Sequence, residues 1–76
     1  MTTRIYVVYD RLACESGPLF EAKNDAVSRR QYDKLIQRTA RPEEYQLLCI
    51  GMMDHDVNKL TVFDKPEEVG FQEVYE

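Results

Sequence analysis

Glycine and proline are scarce in this 76-residue chain, three of each, and tryptophan is absent. So few chain-breakers argue against a loop-dominated scaffold. Two cysteines, Cys14 and Cys49, are too few for a disulfide-stapled mini-protein, and a reducing setting is the default. A single histidine, His55, excludes a His-paired metal site within one chain. No apolar run is long enough to cross a bilayer, and no signal peptide is expected, since Met1-Thr2-Thr3-Arg4 passes straight into strand-like residues. Disorder is excluded from the other direction: 43% of residues are hydrophobic and eight are aromatic. One domain follows, with a core too small for generous stability on its own.

What is present is unevenly spread. The net charge is −4, but residues 1–22 carry −1, residues 23–41 carry +4 and residues 42–76 carry −7. The basic middle coincides with the one stretch of sustained helical period, Asn24 to Ala40. Asn24 and Asp25 are good N-cap residues, and Asp25 suits the positive end of the helix dipole. At about 100° per residue, Ser28, Tyr32, Leu35, Ile36 and Thr39 form a core-facing stripe. Arg30, Lys34, Arg38 and Arg41 fall on the opposite side, and Pro42 stops propagation.

Around the helix the pattern is that of short strands. Ile5–Tyr9 is wholly β-branched or aromatic and apolar on both faces, which predicts a central strand. Gly17-Pro18 reads as a turn before a second strand, Leu19–Lys23. Tyr45–Ile50 is a third strand, continued by Gly51-Met52-Met53 past a bulge, and Lys59–Phe63 returns from a polar turn at Asp54–Asn58 as a fourth. The expected fold class is α+β: a small single domain over residues 1–65, ordered β-β-α-β-β, with one helix on a four-stranded sheet, followed by an acidic tail, residues 66–76. One helix covers one side of a sheet. The other side must meet the tail, another subunit or a ligand, and Val69, Phe71, Val74 and Tyr75 give the tail apolar groups for docking.

Candidate chemistry is sparse. Asp54-x-Asp56-x-Asn58 imitates the start of a calcium loop, but the sixth position is Lys59 where glycine is needed, and the twelfth is Lys65 where a bidentate glutamate is needed. Cys14, Cys49 and His55 have no metal-ligand or nucleophile spacing. Glu43 and Glu44 are adjacent and point apart. No phosphate loop or dinucleotide fingerprint occurs. No enzyme, cofactor or metal is expected. The cations Lys23, Arg29, Arg30, Lys34, Arg38 and Arg41 are the candidate nucleic-acid contacts, with Tyr6, Tyr9, Phe20, Tyr32 and Tyr45 as candidate stacking rings. The alternative is a protein-interaction module, a homodimer with no direct nucleic-acid contact, joined through its apolar strands.

Several fragments occur in a shared order: Val8-Tyr9-Asp10, Gly17 through Asp25, Arg30-Gln31-Tyr32, and Pro42-Glu43-Glu44-Tyr45 followed by Leu47, Gly51 and Asp54. Together, over residues 5–56, they resemble the small non-structural protein of gokushoviruses and related microviruses, single-stranded DNA phages. Arg30 matches an arginine two residues before an aromatic, here Tyr32. Arg29 stands where the family often has an apolar residue. The resemblance implies a non-virion protein of the infected bacterial cytoplasm. It further implies a role in turning replication towards single-strand synthesis and packaging, with single-stranded DNA or phage and host replication proteins as partners. No catalytic residue comes with it.

Overall fold

The computed structural model describes residues 1–70. Its elements are β1 (Thr2–Asp10), β2 (Glu15–Ala22), α1 (Asp25–Ile36), a 3-10 turn (Pro42–Glu44), β3 (Tyr45–Asp54) and β4 (Lys59–Glu68). The expected β-β-α-β-β order therefore gains one element, the turn that carries the chain from the helix into β3. The four strands form one antiparallel sheet in the order β2-β1-β3-β4. β1 is central, as its two apolar faces require.

Local chemistry explains most boundaries. At the β1–β2 turn the Asp10 carboxylate accepts from the amides of Leu12 and Ala13, both at 3.0 Å, and Cys14 takes a left-handed φ of 59°. The reversal is therefore made at residues 11–14, not at Gly17-Pro18. Those two lie inside β2, at the irregularity that separates the Val7–Leu19 pair from the Tyr9–Ser16 pair. Proline is tolerated there because β2 is an edge strand with no outer neighbour needing its N–H. At the other hairpin Asp54 Oδ1 accepts from the Asp56 amide at 3.0 Å, and Asn58 has a φ of 55°. Asparagine is among the few residues that adopt that region readily.

The bulge expected in β3 falls between Cys49 and Gly51, where it shifts the register against both β1 and β4. Gly51 is required: a Cβ there would lie 2.3 Å from the Thr61 carbonyl oxygen. β4 runs on through Lys65, Pro66 and Glu67 to Glu68, past the point where the acidic tail was expected to begin. The next residue, Val69, donates its amide to the Leu47 carbonyl at 2.9 Å and is buried in the core. The expected docking of Phe71, Val74 and Tyr75 falls outside the described residues.

α1 is shorter than its periodic stretch. Asn24 caps it, accepting from the Val27 amide at 2.9 Å, and Ser28 Oγ donates to the Asp25 carbonyl at 2.8 Å. The helix ends at Ile36, where the Thr39 amide bonds back to the Ile36 carbonyl at 3.0 Å and Thr39 Oγ1 accepts from the Arg41 amide. Arg41 precedes a proline and has φ −133°, ψ 70°, outside the helical region, as that position favours. The core-facing stripe holds for Ser28, Tyr32 and Ile36, but Leu35 is 52% exposed. Leu35 is a correction: it sits at the margin of the stripe, in the last turn of the helix.

The core lies between α1 and one sheet face: Tyr6, Val8, Ala22, Leu47, Cys49, Val69 and Tyr32, with Phe20, Val27, Ile36, Tyr45 and Phe63 packed around them. Tyr6 and Phe20, paired across β1 and β2, stack at 5.6 Å between centroids. Nothing among the described residues covers the opposite face.

Candidate nucleic-acid interface

The expected cationic row is divided by the fold. Arg30 and Lys34 are exposed on the outer side of α1, one turn apart, and have no hydrogen-bond or ion-pair partner among the described residues. Lys23, just before the N-cap, and Arg38, two residues past the last helical one, are likewise exposed and unpaired. Arg38 and Arg41 therefore do not extend a helical row, since both lie beyond its end. Arg41 pairs with Glu44 at 2.8 Å, which anchors the entry to the 3-10 turn.

Arg29 has turned inward. Its side chain is only 12% exposed, its guanidinium lies 4.9 Å from the centre of the Tyr32 ring, and it donates to the Val69 carbonyl at 3.3 Å. Asp33, one turn on, is 3.7 Å away. An arginine can occupy an inward position because its stem packs as an apolar group while its planar head stacks on the aromatic ring. Its work is to join the helix to the end of β4.

The stacking candidates divide in the same way. Tyr6 and Tyr32 are buried and offer no ring to a ligand, and Phe20 is largely covered by its stack. Tyr45 is half-buried between two shallow grooves. The larger, of about 550 Å³, runs between the end of α1 and the start of β3, over Arg11, Arg29, Tyr32 and Val69. The smaller, of about 190 Å³, lies beside Leu35 and Thr39. The larger groove mixes Arg11 and Arg29 with Asp33 and Glu43, so it presents no single sign of charge.

Two polar clusters joined by distant residues escape any reading of spacing. In the first, Tyr6 Oη donates to Asp25 Oδ1 at 2.7 Å, and Arg4 lies between Asp25, at 3.2 Å, and Glu67, to which it donates at 2.7 Å. The Arg4 Nε proton is off-line for a hydrogen bond with Asp25, so that contact is an ion pair only. Burial and the Asp25 bond push the Tyr6 hydroxyl up to about 12. In the second, Glu21 accepts from Thr3 Oγ1 and is in contact with His55 Nε2, which itself lies 2.9 Å from Thr3 Oγ1. The Thr3 hydrogen bond, then the His55 one, hold the Glu21 carboxyl below its ordinary range. The first cluster ties β1 to α1 and β4, the second ties β1 to β2 and the β3–β4 turn, and neither lines either of the two grooves. The acidic turn is also used internally: Asp56 pairs with the N-terminal ammonium at 2.5 Å. Among the described residues no group of three or more His, Cys, Asp or Glu side chains is placed to hold a metal ion. No described helix is long and apolar enough to cross a membrane.

The model of one family, described as phage ORF5 protein, matches residues 3–74. The chain belongs to that family. The match extends over all four strands and the helix, and so takes in the exposed cations and the Arg29 anchor alike. No curated protein and no solved structure matches the chain.

Proposed function

We propose that this phage protein acts without catalysing a reaction, in the cytoplasm of the infected host and outside the virion. It takes part in replication or packaging of the phage genome by contacting single-stranded DNA or the proteins that handle it. The contact surface is Lys23, Arg30, Lys34 and Arg38. Arg29 and Arg41 hold the flanks of that surface through Val69 and Glu44.

One observation carries the reading. In a chain of net charge −4, Arg4, Arg11, Arg29 and Arg41 all have partners within the fold, whereas these four cations have none among the described residues. Lys59 and Lys65 are also unpaired among the described residues, but they sit on β4 in the acidic third of the chain. Cations exposed on α1 and just beyond its two ends, without a carboxylate paired to them among the described residues, suit a polyanion whose condensed counterions are released on binding. Recognition of this kind is indifferent to base sequence and sensitive to salt.

The test is fluorescence anisotropy with a labelled single-stranded oligonucleotide over a salt series. Four phosphate contacts give a slope of log affinity against log salt of about −3 for a single strand. Changing Arg30, Lys34 and Arg38 to Ala together should bring it close to −1, leaving Lys23 alone. Binding without salt dependence, or binding that survives the triple change, would sink the proposal.

A further inference from the structure

We infer that two copies of this chain pack through the sheet face opposite α1, giving a four-layer particle with the two helices outermost. The inference is independent of the nucleic-acid reading, because Lys23, Arg30, Lys34 and Arg38 lie on and around the helix and none is needed at this interface.

The register identifies the face. Val7 on β1 lies opposite Leu19 on β2 and Leu48 on β3, and on β4 Val62 faces Gly51 while Leu60 faces Met53. Ile5, paired with Gly51, joins the same surface. Leu19, Leu60 and Val62 are 63%, 57% and 65% exposed, in a chain with a thin core. Val7, which lies outside the helix-side cluster, is flanked in the register by Leu19 and Leu48. The central strands β1 and β3 bring no charge to the face, and on the outer strand β4 Asp64 follows Val62 by two residues. Glu21 stands at one margin, already engaged by Thr3 and His55, and Glu68 stands at the other, opposite Leu48.

That charge distribution selects the occupant. A polyanion finds no cation on this face. An unrelated acidic or basic segment finds nothing to pair with across its centre. A second copy brings the same uncharged apolar centre, and the carboxylates Glu21, Asp64 and Glu68 are confined to the outer strands, so a twofold contact centred on β1 and β3 buries no like charge although each chain is acidic. Size agrees as well. Four strands about 4.8 Å apart and some 30 Å long make a face on the order of 600 Å² in projection, comparable with the ~800 Å² of accessible surface each partner gives to a standard interface.

Edge-to-edge association is opposed by the strands themselves. The outer strand β2 is interrupted at Gly17-Pro18, and the outer strand β4 carries Lys59, Lys65 and Pro66 and bulges between Val62 and Glu67. These are the devices by which sheet edges avoid pairing. Face-to-face packing remains.

Sedimentation velocity on the full chain, without nucleic acid, tests the inference over a wide range of protein concentration. The expected species has twice the 9.0 kDa chain mass, 18.0 kDa, and survives high salt. Leu19→Glu combined with Val62→Glu should reduce it to 9.0 kDa with an unchanged far-ultraviolet circular dichroism spectrum, because both positions are solvent-facing in the single chain. Ala26→Glu, on the outer side of α1, should leave the dimer intact. A full chain that stays at 9.0 kDa throughout would overturn the inference, as would a double variant that still dimerises or an equal loss with Ala26→Glu. A chain ending at Gly70 that dimerises when the full chain does not would also overturn it, by giving the face to the chain's own last six residues. Loss of oligonucleotide binding alone leaves all of these outcomes unchanged.

Discussion

Tyr6 shows how much rests on single side chains in so small a protein. It is fully buried in the central strand, stacks on Phe20, and spends its hydroxyl on Asp25 in the first turn of the helix. One residue thus joins the core to the helix start. Its hydroxyl is pushed up to about 12 by burial and by the carboxylate it serves. The unfolded chain releases that proton near pH 10 while the folded chain keeps it. The contribution is therefore complete below pH 10 and lost as pH rises from there through about 12. Tyr6→Phe should cost about 1.5 kcal/mol at neutral pH, the worth of a hydrogen bond to a charged group. It should also flatten the alkaline fall in stability. Urea unfolding at neutral pH and above pH 10 measures both, and an unaltered alkaline limb in the variant would mean that another group is responsible.

At the scale of elements, α1 is held chiefly by its first turn. Asn24 supplies the cap, Asp25 receives Tyr6 and Arg4, and Ser28 is buried against the sheet. Twelve residues make a marginal helix in isolation, so capping and packing decide whether it forms. Asn24→Ala should cost about 1 kcal/mol and lower the melting temperature by roughly 5 °C, measured by circular dichroism at 222 nm. The other end explains why the periodic stretch overstates the helix. Leu35 and Thr39 keep the spacing, but Arg41 before Pro42 is pressed out of the helical region, and Thr39 Oγ1 serves the Arg41 amide instead of a further turn. Propensity and period were readable there. The competition between a last turn and the approach to β3 was not.

For the whole molecule, the consequence is a layered particle with one sheet face under α1 and the other left uncovered by the described residues. The dimer inferred above binds folded chains and not unfolded ones, so stability should grow with protein concentration. A tenfold increase adds roughly 1.4 kcal/mol per dimer, which raises the melting temperature by a few degrees. Thermal melts at several concentrations would reveal this, and the Leu19→Glu, Val62→Glu variant should melt independently of concentration. Stacked in this way, two chains turn their exposed cations to opposite outer surfaces. A single strand of DNA would then either engage one side at a time or pass around the particle.

Much of this was decided locally. The α+β class, a central β1, the bulge before Met52, the hairpin at Asp54–Asn58 and the Asn24 cap all follow from features within a few residues of one another: alternation, β-branching, turn chemistry and helical period. Such interactions are short in sequence, and the amino-acid order suffices to see them. The partition of the cations is different. Arg29 and Arg30 are neighbours of identical chemistry, yet one stacks on Tyr32 and reaches Val69 while the other faces solvent. Likewise Thr3, Glu21 and His55 meet across 52 positions of sequence, and Arg4 reaches Glu67 across 63. Those contacts exist because the sheet places β1 between β2 and β3 and brings the end of β4 back under the helix. The packing that closes a sheet depends on every strand at once, and no short stretch of the chain carries it.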